Sequence, residues 1–226
     1  MNSRAFPHLT IGIVAILVGL TTSAQAGPPL VCHPIEIGQA QSLPWVDLNY
    51  QKGDGRYDLN NLTKDTLAIL DSNTPVLVRM ETLRRATLYA RQDPHVAKEL
   101  LTRLHARAAN SDAAGHSEAL AWFDVGYLAE TYKQWIGKGE PNPASGLDGY
   151  AWVKKAISLR GQDPEMEFAA ALMTLTVPES DHRDHVQKAM AGAKNDPLLA
   201  QNLASNFNRQ TISELLTNAP AGGFKK

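Results

Sequence analysis

The chain has 226 residues, 43% hydrophobic and 20% charged, which suits one large or two small packed domains and excludes a disordered chain. Its 22 basic and 23 acidic residues give a formal net charge of −1, which argues against a nucleic-acid partner held by general phosphate attraction. A single cysteine excludes an internal disulfide framework and any multi-cysteine zinc or iron–sulfur site.

Residues 1–26 carry the parts of a secretory signal peptide. Arg4 supplies the positive start, residues 11–20 an apolar run, and Ala24-Gln25-Ala26 a small-residue cleavage site. The run is short for a membrane span, and no later stretch reaches the ~18 apolar residues a span needs. No stable membrane span is therefore expected after cleavage. The mature chain is expected to begin at Gly27, in a bacterial periplasm or outside the cell. Loss of Arg4 takes the formal net charge from −1 to −2. That compartment is oxidising, so Cys32 is expected to be buried, free or joined to another molecule.

Residues 27–62 lack helical periodicity and read as an extended N-terminal arm. Ile35 and Ile37 alternate about Glu36, as in a short strand or an extended segment. Leu30, Val31, Ile35, Ile37, Trp45 and Tyr50 give the arm apolar surface that has to pack on something. It is expected either to cap the helical domain or to occupy its groove.

Residues 63–217 read as a helical domain and the fold class as all-α, with residues 218–226 as a flexible tail. Thr74 and Pro75 are expected to cap and open a helix carrying Val76, Met80, Leu83, Thr87 and Ala90 on one face. Ser117 opens another, whose apolar face is Trp122, Val125, Ala129, Tyr132 and Ile136. Phe123 and Gly126 widen that face, which predicts a central helix. Val153, Ala156, Ile157 and Leu159 mark a further one.

Three segments match one another without gaps, beginning at Arg84, Lys154 and Gln187. Each has a basic residue before an alanine (Ala86, Ala156, Ala189) and an amide before Asp-Pro (Gln92, Gln162, Asn195). The pairs are Asp93-Pro94, Asp163-Pro164 and Asp196-Pro197, spaced by 70 and 33 residues, about two periods and one of ~34. Aspartate caps the orphan N–H groups of a first turn, and proline at the first helical position lacks an N–H that would be orphaned anyway. The expected unit is helix, tight turn, helix, stacked into a short solenoid.

A helical hairpin of ~34 residues resembles the tetratricopeptide repeat. Trp122, Val125, Gly126 and Ala129 resemble the first-helix signature of that family, in which a large residue packs over a small one. In that family proline ends the second helix of a unit, so the helix after Pro94 is expected to be a first helix, yet so is the Trp122 helix that follows it. The Gly- and Pro-rich stretch 137–149 suggests an irregular middle. Residues 31–45 also resemble the start of certain exported bacterial proteins, a likeness that implies no activity.

Residues 74–107 carry seven basic and three acidic residues, and residues 111–148 two basic and six acidic. These blocks read as solvated helix faces whose opposite charges help neighbouring units stack, or as a bipolar groove for a charged peptide. His182 and His185, three apart, share a helix face and are weak metal-ligand candidates. Cys32 beside His33 is a possible reactive thiol. No sequence motif of a known hydrolase, P-loop or dinucleotide site is present. The expected function is an exported binding or scaffold protein without a cofactor, its partner a protein or peptide of the cell envelope. The alternative is a small exported enzyme or metal-binding protein using Cys32/His33 or His182/His185.

Overall fold

A computed structural model describes residues 29–46, 53–135, 141–175 and 179–207. The expected leader and cleavage site, Tyr50, Ile136, residues 208–217 and the tail lie outside the described residues. The fold is all-α, with no strand among the described residues. The helices are α1 (Pro29–Cys32), α2 (Leu62–Ile69), α3 (Val76–Ala90), α4 (Pro94–Ala113), α5 (Ala119–Trp135), α6 (Gly149–Arg160), α7 (Pro164–Met173), α8 (Glu179–Ala193) and α9 (Pro197–Asn206). A 3-10 turn at Leu59–Asn61 leads into α2.

The three Asp-Pro pairs start α4, α7 and α9. Asp93 accepts from the N–H groups of His95 and Val96, at 2.8 and 3.4 Å. Asp163 accepts from Glu165 and Met166 at 3.0 and 3.1 Å, and Asp196 from Leu198 and Leu199 at 3.0 and 2.9 Å. Each aspartate is extended, and each proline occupies the first turn.

Thr74 does not cap α3. Its hydroxyl donates back to the carbonyl of Ile69, and Pro75 is still non-helical (ψ 152°), so the helix opens at Val76. The first-turn N–H of Leu77 is instead satisfied from another helix, by Glu165 at 3.2 Å. Burial raises the Glu165 carboxyl pKa despite that bond.

The closest helix pairs are α5 with α6 and α7 with α8, whereas helices meeting at an Asp-Pro turn touch less. The turns before α4 and α7 therefore join hairpins instead of forming them, which differs from the expected unit, whereas α9 packs mainly on α8 across its own turn. A cap decides where a helix begins; its apolar face decides what it packs against. Gly126 shows this at α5–α6. A Cβ there would stand 2.7 Å from the carbonyl oxygen of Gly149 and 2.9 Å from the Val153 side chain. Two backbones approach closely because both positions are glycine. In this pairing α4 is the helix out of phase, since it packs on α5 and α2 more than on α3.

The two charge blocks meet, and part of them is buried. Arg79 donates to Asp124 at 2.6 Å, both fully buried, and also to the carbonyls of Thr74 and Asp71. Burial pushes the Asp124 carboxyl up to about 6 although Arg79 opposes the shift. At the edge, Arg107 lies 3.9 Å from Glu118. The expectation of solvated faces thus fails for Arg79, Glu81, Arg84 and Asp124, all buried.

The arm is not extended throughout. Pro29–Cys32 form a helical turn, and no strand forms at Ile35–Ile37. Leu30, Ile35 and Leu43 belong to the same apolar core as Leu83, Tyr89 and Phe168. The arm completes that core and is more than an addition to it.

Candidate polypeptide-binding groove

The arm runs over α3 and reaches α5, α7 and α9. Along this path the helices hold its backbone through side chains. Gln134 on α5 accepts from the Leu30 N–H at 2.8 Å. Arg84 donates to the Val31 carbonyl at 3.1 Å and Arg85 to the Leu43 carbonyl at 2.7 Å. Glu81 accepts from the Ile35 N–H at 3.0 Å. The Asn202 carboxamide on α9 engages both backbone groups of Glu36, accepting from the N–H at 2.8 Å and donating to the carbonyl at 2.9 Å. Tyr89 donates to the Pro44 carbonyl and accepts from the Asp54 N–H at 2.8 Å.

Helical spacing explains this face. Glu81, Arg84, Arg85 and Tyr89 follow at offsets of three, four and eight, so they share one side of α3. The Glu81 carboxylate, with 2% of its side chain exposed, accepts from Arg84 Nε at 2.7 Å and from Arg85 Nε at 2.7 Å. Each arginine then has further donors for arm carbonyls, because a guanidinium carries five N–H groups. Both guanidinium groups also lie over the Trp45 ring, at 5.2 and 5.8 Å from its centroid. Trp45 packs edge-on against Tyr89. Ser42 and Thr82 pair through their hydroxyls at 2.9 Å.

The grip combines two chemistries. Polar side chains hold backbone atoms that any residue would present. Closed apolar sites take Leu30, Ile35 and Leu43, all at most 3% exposed. Burial of each such side chain stabilises by about 1.5–3 kcal/mol and each hydrogen bond by about 1 kcal/mol net.

The chain matches no protein-family model, no curated protein and no solved structure.

His182 and His185 have separate environments. His185 Nδ1 lies 2.5 Å from the buried Glu167 carboxylate, and its Nε2 lies 2.7 Å from the Tyr150 hydroxyl. A carboxylate only accepts, so Nδ1 donates to Glu167, and Nε2 pairs with the Tyr150 hydroxyl. Both ring nitrogens thus serve to tie α8 to α7 and α6. His182 Nδ1 lies 3.0 Å from the Ala171 carbonyl, its ring packs on Phe207, and burial lowers its pKa. Among the described residues no group of three or more His, Cys, Asp and Glu side chains is close enough to hold a metal ion. Cys32 ends α1 as a half-buried free thiol, with His33 next in the chain. The structure does bring Asp163 and Asp196 together, around a polar cleft of about 430 Å³ at the starts of α3, α7 and α9. Their carboxylates are spent on caps and on Arg160, which donates to Asp163.

Glu81, Arg84, Arg85, Gln134 and Asn202 were not legible as a site. Their signal in the sequence is only the basic excess of residues 74–107, and Gln134 and Asn202 carry none.

Proposed function

We propose that this chain is an exported helical-repeat binding or scaffold protein of tetratricopeptide type, whose groove holds extended polypeptide and is occupied by its own N-terminal arm. The observation that supports this reading is the backbone-directed grip: side chains of α3, α5 and α9 bond N–H and carbonyl groups from Leu30 to Pro44. Such contacts suit an extended peptide of many sequences, with apolar anchors setting preference. The partner is a protein or peptide of the cell envelope, reached after the leader is removed before Gly27. Among the described residues no helix is long and apolar enough to cross a membrane.

The test uses the mature chain lacking residues 27–46 and a fluorescent peptide of residues 27–46. Saturable binding in trans, competed by unlabelled peptide and weakened by Asn202→Ala, supports the reading. A folded, arm-less chain that ignores the peptide overturns it. Should the arm-less chain fail to fold, a protease site placed in residues 47–52 of the full chain replaces the deletion. After cleavage the labelled peptide should exchange into the groove; an arm that never exchanges would mark the groove as closed core. N-terminal sequencing of the envelope fraction checks export, with Gly27 expected as the first residue.

A further inference from the structure

A second groove lies away from the arm, along one face of α4. Its volume is about 570 Å³, within the ordinary range for small-molecule sites. Leu101 and Pro94 on α4 face Pro141, Pro143 and Leu147 across it, so its walls are mainly apolar. The Pro141–Pro143 wall is tied down. Asn142 donates to the Tyr132 carbonyl of α5 at 2.9 Å and accepts from the Ala144 N–H at 2.8 Å. The groove therefore does not depend on a ligand to shape that wall.

Its charge is one-sided. Lys98, His95 and His105 line it, and no carboxylate does among the described residues. Lys98, Leu101, Thr102 and His105 are spaced at three, four and seven, which puts the cation, the apolar floor and the hydroxyl on one helix face. Lys98 is exposed and, among the described residues, forms no ion pair. His105 is fixed by its ring contact with Trp152, at 5.3 Å between centroids. An apolar trough with a fixed wall and the Lys98 ammonium on its α4 side is complementary to one kind of small molecule.

We infer that this groove binds a small amphiphile with an apolar body and one carboxylate, the chain along Leu101 and Leu147 and the carboxylate at Lys98. The cation attracts the head group, and the trough removes the body from water. A neutral molecule of the same length forfeits the first interaction, and a cationic one meets Lys98 as a like charge.

Titration calorimetry on the full mature chain tests this with decanoate, decanol and decyltrimethylammonium. Decanoate should bind about tenfold tighter than decanol, an effect of the size a charge-assisted hydrogen bond supplies, and the ammonium amphiphile should bind weakest. Lys98→Ala should remove the advantage of decanoate and leave decanol unchanged. Thr102→Glu, which sets a carboxylate one turn from Lys98, should cancel that advantage as well. Both positions are exposed, so circular dichroism of each variant should match the parent. Equal affinity for decanoate and decanol overturns the inference, as does unchanged decanoate binding in either variant. A peptide with an apolar, free C-terminus that outcompetes decanoate would overturn it in favour of a protein ligand.

Discussion

Replacing Glu81 by Gln should loosen the hold on the arm and destabilise the whole domain. Glu81 is the carboxylate to which Arg84 and Arg85 both donate, and it also accepts from the Ile35 N–H. Glutamine keeps an acceptor oxygen for one of these donors but removes the charge. Arg84, fully buried, then loses the charge of the carboxylate it donates to. Breaking a buried pair in this way costs about 3–5 kcal/mol. Arg85 adds little, because its side chain is 19% exposed and water screens it. Set against a total stability of about 5–15 kcal/mol, the loss is large and should lower Tm on the order of 10 °C. Urea melts of the mature chain, followed by circular dichroism, measure it. The double variant Glu81→Gln with Arg84→Met should recover part of the loss, since no lone charge remains buried, with a coupling energy of about 0.5–3 kcal/mol. A single-variant cost below about 1 kcal/mol, or strictly additive costs, would refute the buried-charge account of how the arm is held.

Asp93→Ala, Asp163→Ala and Asp196→Ala should each cost about 0.5–2 kcal/mol in denaturant melts through loss of two first-turn hydrogen bonds; three neutral variants would contradict the capping geometry. Gly126→Ala should cost about 1–3 kcal/mol by forcing α5 from α6 at Gly149 and Val153, read as a lowered Tm. Asp112 accepts from Lys155, Ser117 and the Trp122 indole, which holds its carboxyl down at about 2. A folded pKa below the unfolded value makes its contribution present above about pH 4 and lost as pH falls towards about 2. The stability gap between the parent and Asp112→Asn should therefore close across that window, and a gap that persists at its acid end would sink the assignment.

How much was legible follows from how far each interaction reaches along the chain. The Asp-Pro starts of α4, α7 and α9 are readable because a cap and its N–H groups lie within three residues. The central place of α5 is readable because Trp122, Phe123, Val125 and Gly126 leave it apolar around most of its girth. Thr74 misled because its hydroxyl had a competing acceptor in Ile69, which only the folded turn brings near. Glu81, Arg84, Arg79 and Asp124 spell a charged surface in one dimension; they are buried because partners 45 residues away, or the arm itself, meet them in three. His182 and His185 share a helix face in the sequence, whereas Glu167 and Tyr150, from two other helices, meet both nitrogens of His185 only in the fold. Local hydrogen bonds and apolar periodicity thus determined the helices and their class. Which helices pair, where the arm lies and which charges leave water were decided by tertiary packing. Those outcomes depend on close approach and desolvation between distant segments, which no local pattern encodes.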